Sequence, residues 1–225
     1  KVFSVAIDGP VGAGKSCVAK KVAERLNAAY LDTGAMYRAG GLYMLENGVS
    51  LEDGAAIAEN AGKARVDVRY EGREQRTYLN GRDVTGELRR PEVSLASSAV
   101  AKVHAVREAL VNRQRELARG ISLVMDGRDI GTCVLTDATL KIFLTAAPEE
   151  RARRRFRQMN GRGVQSFEDV LNDLIRRDRN DMSRAESPLR CAEDAVELDS
   201  TSLTEDEVVE RIVSLLMERT GGERA

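Results

Sequence analysis

Gly9, Gly14, Lys15 and Ser16 stand in the stretch GPVGAGKS, with four residues between the glycines and the lysine and serine directly after. That spacing suits one ligand, a chain of phosphates. Glycines let successive backbone N–H groups turn inward around an anion, and a helix starting there adds the positive end of its dipole. Lys15 then contacts the outer phosphates, and Ser16 offers its hydroxyl to magnesium. The whole loop, Gly9, Pro10, Val11, Gly12, Ala13, Gly14, Lys15, Ser16 and Cys17, is expected to bind ATP.

Two further stretches could meet a second ligand. In LDTGAMYR, Leu31 to Arg38, Thr33 and the N–H groups after it open a helix, with Tyr37 and Arg38 one turn along. This is either a second anion site or, on a purely structural reading, an N-cap at Thr33 with Tyr37 in the core. In DGRDIG, Arg128 and Asp129 occupy a loop at the carboxyl end of a strand-like run, where open α/β sheets bind ligands.

The elements that must position these residues alternate. Strand-like runs at VFSVAID, AAYLD, ISLVMD, TLKIFL and DAVELD are separated mostly by helical patterns such as KSCVAKKVAERL and EDEVVERIVSLLMER. Such alternation predicts an α/β fold, a parallel sheet with helices on both faces. Four of the five runs end on Asp. The last helix carries a capping box, Thr204 with Glu207, and an apolar face of Val208, Ile212, Leu215 and Leu216. Two segments break the pattern. Ala64 to Val84 reads as short polar strands with EG and NG hairpin turns. Glu149 to Pro188 reads as charged helix, a tip NGRGVQS and charged helix again, with Ser166 as N-cap, the form of a hinged flap.

Composition narrows the classes. The chain has 225 residues and a formal net charge of -1, which argues against a general nucleic-acid surface. No apolar run approaches the ~18 residues of a membrane span, and the strand-like start predicts a cytoplasmic protein without a signal peptide. Cys17, Cys133 and Cys191 are scattered singly and read as plain thiols. From Glu149 to Arg190 there are 11 Arg and no Lys against 8 acids, +3 locally and so -4 elsewhere. Arg presents a rigid fork of donors that matches phosphate oxygens. The guanine-reading string Asn-Lys-x-Asp does not occur. A short chain with two inserts, one rich in Arg, fits a small-molecule kinase that closes over its substrates to keep water from the phosphoryl group.

Taken together, IDGPVGAGKS, YLDTGAMYR, SSAVAKVHAVREAL, VMDGRDIGT, KIFLTAAPEERARRR and RRDRNDMSRAESPL run through nearly the whole chain, which resembles the bacterial cytidylate kinases from end to end. The resemblance implies transfer of the terminal phosphate of ATP to CMP or dCMP with magnesium. It implies a five-stranded parallel P-loop core (1–60, 100–148 and 186–225), a nucleoside-monophosphate insert (61–99) and an Arg-rich lid (149–185). By similarity Thr33, Arg38 and Arg128 hold the acceptor phosphate with Tyr37 beside it, and Ser98, Arg107 and Asp129 read the cytosine. Arg177, Asp181 and Arg184 match positions that contact the nucleotide sugar and phosphates; their i, i+4, i+7 spacing predicts one helical face, which without the resemblance would read as a solvated ion-pair ladder. Lys15, Arg128 and the lid residues Arg151, Arg154 and Arg155 are expected to compensate charge on the transferring group. Cys17 stands where the family commonly has Thr, and Thr33 where Ser is frequent. His104 carries no expected role. Rival expectations are a kinase for another small acceptor such as UMP, or a nucleotide-sensing module without transfer. The protein is expected to act as a monomer.

Overall fold

The computed structural model describes residues 2–158 and 166–221; the expected flap tip, Asn160 to Gln165, lies outside them. All five strand-like runs form strands. These are β1 (Ser4–Asp8), β2 (Ala29–Asp32), β6 (Leu123–Asp126), β7 (Leu140–Thr145) and β8 (Val196–Asp199), in one sheet of order β2-β6-β1-β7-β8. β1 runs parallel to both β6 and β7, and β7 parallel to β8. Val5, Ala6, Ile7, Val124, Met125, Leu140 and Leu144 are all buried. The central strands therefore read as continuous apolar runs rather than alternating ones, as a sheet covered on both faces requires.

The chain packs as two compact units, Lys1–Ala29 with Ile121–Ala225, and Tyr30–Gly120. The first holds α1 (Lys15–Arg25), a π-helical turn (Ile130–Val134), α6 (Pro148–Gln158), α7 (Phe167–Met182) and α8 (Glu205–Thr220). Both predicted caps are present as reciprocal boxes, Ser166 with Asp169 on α7 and Thr204 with Glu207 on α8. On α8 Val208, Ile212 and Leu216 are buried, while Lys21 of α1 pairs with Glu205 and Asp206 at its start.

The second unit holds α2 (Thr33–Glu46), α3 (Gly54–Ala61), α4 (Pro91–Val100) and α5 (His104–Ala118), with a separate antiparallel sheet of β3 (Val66–Glu71), β4 (Glu74–Leu79) and β5 (Arg82–Asp83). Its turns fall where expected, with positive φ at Gly72, Asn80 and Gly81. α2 and α4 touch backbone to backbone at Gly41. A Cβ there would meet Ser97 N at 2.8 Å and Ala96 C at 2.9 Å, so any larger residue would force the helices apart. Among the described residues no helix is long and apolar enough to cross a membrane.

Candidate active site

The phosphate loop leaves β1 and enters α1. Gly9 has φ 147, and a Cβ there would lie 2.0 Å from Leu144 O, so the loop starts where only glycine can pass the neighbouring strand. Lys15 is buried at the first turn of α1 and donates to Pro10 O at 2.7 Å. Burial, with Arg128 nearby, lowers its pKa to about 7. The hydroxyl of Ser16 donates to Asp126 Oδ2 at 2.9 Å. The last residue of β6 and the second of α1 thus bring two hard oxygens side by side, a pair that could hold a small divalent cation. Cys17 is an exposed free thiol.

The loop after β6 carries Arg128 and the buried Asp129. It is held by Asp8, the last residue of β1, whose Oδ1 accepts from Ile130 N and Oδ2 from Gly131 N, both at 2.8 Å. Burial raises the Asp8 carboxyl to about 6, against the lowering effect of those two N–H groups. Arg128 Nε donates to Asp181 Oδ2 at 2.9 Å, and Asp181 Oδ1 accepts from Arg184. Arg177 pairs with Asp173 at 3.0 Å. Arg184 departs from the expected helical face. α7 ends at Met182 with Ser183 as C-cap, its N–H bonded to Arg179 O. Arg184 therefore returns to Asp181 from beyond the helix.

Arg151, Arg154 and Arg155, expected together, sit in three settings. Arg151 is buried; its Nη1 donates to Asp178 Oδ2 (2.6 Å) and Val11 O (2.9 Å), and its Nε to Ala146 O (2.8 Å). Asp178 Oδ1 accepts from Val11 N at 3.3 Å. The phosphate loop is thus fastened to α6 and α7 by both backbone groups of Val11, and its side chain packs on Ala152, Val170 and Leu174. Arg154 binds Glu150 and, beyond β8, both Ser200 Oγ (3.0 Å) and Ser200 O (2.6 Å). Arg155 is exposed, its side chain making no hydrogen bond or ion pair among the described residues.

In the second unit Asp32, not Thr33, caps α2, accepting from Ala35 N at 2.9 Å; Thr33 is the buried first residue of the helix. Asp32 also accepts from Arg38 Nη2 at 2.8 Å. Gln75 of β4 pairs with the backbone of Asp32, accepting from its N–H at 2.8 Å and donating to its carbonyl at 3.3 Å. Arg38 Nε is buried with no hydrogen-bond partner among the described residues, a costly state for a donor. Arg107, near the start of α5, is buried with its guanidinium 5.7 Å from the centre of the Tyr37 ring. Ser98 is half-buried on α4.

A cytidylate kinase family profile matches residues 5–218. A cytidylate kinase from Caldanaerobacter subterraneus subsp. tengcongensis is 49% identical over 97% of this chain and 96% of its own length. The chain belongs to the cytidylate kinase family. Another cytidylate kinase, from Desulforamulus reducens, is 52% identical over 93% of this chain and 95% of its own. At the level of fold alone, the chain is similar to a gluconokinase from Sinorhizobium meliloti (TM-score 0.50, 12% identity, 96% of this chain and 92% of that one). A protein from Eubacterium ventriosum titled uncharacterized gives a TM-score of 0.54 at 16% identity, over 97% and 99% of the two chains.

Several residues that hold the arginines and the loops of this chain are not among the site residues its sequence predicts. Asp8, Asp32, Asp126 and Asp178 each position a predicted site residue or its loop. For three of them a signal existed, an Asp closing a strand-like run. Gln75 and Asp178 had none, because their partners lie 43 and 167 residues away in the chain.

Proposed function

We propose that the enzyme moves the γ-phosphate of ATP in line onto the phosphate of CMP or dCMP, giving CDP or dCDP and ADP, without a phosphoenzyme. One observation carries this reading: a complete phosphate loop, with Lys15 and the Ser16–Asp126 pair at its end, in a chain whose curated relatives of near-equal length are cytidylate kinases. Lys15 leaves Pro10 O for the outer phosphates of ATP, and the N–H groups from Gly12 to Cys17 cradle the rest. Ser16 and Asp126 would hold magnesium, which when bound would supply positive charge against the phosphate oxygens.

On the acceptor side, Thr33 and Arg38 hold the CMP phosphate, the unspent Nε–H of Arg38 among the donors. Arg128 uses the N–H groups that Asp181 leaves open. The attacking oxygen is already anionic near neutral pH, so no general base is needed, and positioning and charge compensation supply the rate. Asp129 accepts from the N4 amine of cytosine while Arg107 donates to O2 and N3, aided by Ser98. Uracil presents O4 to Asp129 and loses that bond, a strong ground for rejection. Arg177, Asp181 and Arg184 serve the sugar and phosphates, and Tyr37 lies beside the acceptor phosphate. In the lid, 149–185, Arg155 compensates the developing charge, Arg154 joins it on leaving Ser200, and Arg151 positions the phosphate loop; 61–99 is the acceptor insert. The enzyme works as a cytoplasmic monomer on free nucleotides, without a nucleic-acid or membrane partner.

A coupled ADP-release assay over CMP, dCMP, UMP, AMP and GMP tests the reading. CMP and dCMP are expected to turn over at least about 100-fold more efficiently than UMP. ATP binding without CMP-dependent ADP formation, or a preference for UMP, would overturn it.

A further inference from the structure

Asp8 sits directly before Gly9, at the entrance to the phosphate loop, yet each of its oxygens accepts from an N–H outside that loop. Both reach into the next strand's loop, to the N–H groups of Ile130 and Gly131. These are the first two N–H groups of the π-helical turn Ile130–Val134, whose own bonds begin further on, from Cys133 N and Val134 N to Asp129 O. The orphan donors at the start of this rare turn thus find their acceptor 122 and 123 residues away in the chain. Gly131 leaves the room: a Cβ there would stand 3.1 Å from Lys141 Cδ and 3.4 Å from Asp8 Oδ2. Immediately before the clamped pair come Arg128 and Asp129.

A carboxylate beside a phosphate-binding loop is adverse for both burial and charge. A turn that needed only satisfied N–H groups could use neutral acceptors. What a rigid two-oxygen bridge adds is register between two loops that contribute to one reaction.

We propose that Asp8 is a positioning residue that locks the loop bearing Arg128 and Asp129 to the root of the phosphate loop, and thereby sets acceptor-base selectivity. The inference rests on the role given above to Asp129. It does not require Asp8 to touch either nucleotide.

The test compares the wild-type enzyme with Asp8→Asn, which keeps one carbonyl acceptor and turns an N–H donor toward the other amide, and Asp8→Ala, which keeps neither. Amide exchange of the peptide spanning 128–135 and the CMP-to-UMP ratio of kcat/KM are measured on each. Exchange is expected to quicken by about 10-fold or more in the order Asn, then Ala, and the ratio to fall by about 10-fold or more in the same order. A merely structural role would lower the active fraction equally for both nucleotides and leave the ratio unmoved. Unchanged exchange, or quickened exchange with the ratio within twofold of wild type, would overturn the proposal. Should Asp8→Ala not fold, Asp8→Asn alone decides. A wild-type enzyme that prefers UMP counts against the assigned function only, since exchange and the change in ratio still report on the clamp.

Discussion

Arg151 on α6 and Asp178 on α7 meet at 2.6 Å with both side chains buried, and between them they hold the N–H and the C=O of Val11 in the phosphate loop. Removing one partner leaves an uncompensated charge inside the protein, which costs about 3–5 kcal/mol. Asp178→Ala is expected to lower unfolding free energy by that order in urea titrations. Arg151→Lys should not restore it, because an ammonium cannot span Ala146 O, Val11 O and Asp178 with the geometry of a guanidinium. An Asp178→Ala protein as stable as wild type would sink this account of how α6 and α7 grip the loop.

Arg155, four residues along α6, poses the opposite case. It is exposed and its side chain makes no hydrogen bond or ion pair among the described residues, so the folded state gains little from its head group. Arg155→Ala should leave the urea midpoint unmoved while kcat falls by about 10-fold or more, the signature of a charge used only when the phosphoryl group is in flight. An unchanged kcat would return Arg155 to the solvated surface.

Gln75 supports acceptor binding from a different element. Its amide pairs with the backbone of Asp32, whose carboxylate caps α2 and holds Arg38. Gln75→Met keeps the volume but leaves the Asp32 N–H without that acceptor, a loss of about 1–3 kcal/mol. The dissociation constant for CMP, measured by calorimetry without ATP, should rise by about 5-fold or more, with that for ATP unchanged. Equal affinity for CMP in variant and wild type would separate Gln75 from the acceptor site.

How far the sequence reveals this site is shown by its strand-terminal aspartates. Short apolar runs placed all five strands of the sheet, and the EG and NG turns placed the small antiparallel sheet, because both signals are local. The Asp closing four of the runs was visible too, but not its use. Asp8 grips a π-helical turn, Asp32 caps a helix and holds an arginine, Asp126 takes the Ser16 hydroxyl, and Asp199 merely turns the chain through Thr201. One residue type at one kind of position has four uses: those of Asp32 and Asp199 are met by residues within six positions, while those of Asp8 and Asp126 are met by residues 110 or more positions away, which only tertiary packing brings near. The same limit separates Arg151 from Arg155: their composition is identical, and only the helix packed against one of them makes it structural. Arg184 fell off its expected face because periodicity cannot see where a helix stops.

Asp8 also gives the protein a pH signature. Burial and the neighbouring Asp129 raise its carboxyl from 3.8 to about 6, while Lys15 and the Ile130 and Gly131 N–H groups pull it down; Lys141 packs on Gly131, and the exposed Cys191 thiol feels the charge as well. The folded chain therefore holds this proton more tightly than the unfolded chain. Between the two values the native state binds more protons, so the contribution of Asp8 to stability is fully present below about pH 4 and is lost as pH rises through about 6. A shift of about two units corresponds to about 3 kcal/mol. Urea titrations of wild type and Asp8→Asn from pH 4 to 8 isolate the term, since the other titrating groups are common to both proteins. The stability difference, wild type minus variant, is expected to decline across pH 4–6 and flatten above. A difference that stays level, or that grows with pH, would show that the two amides hold Asp8 ionised throughout.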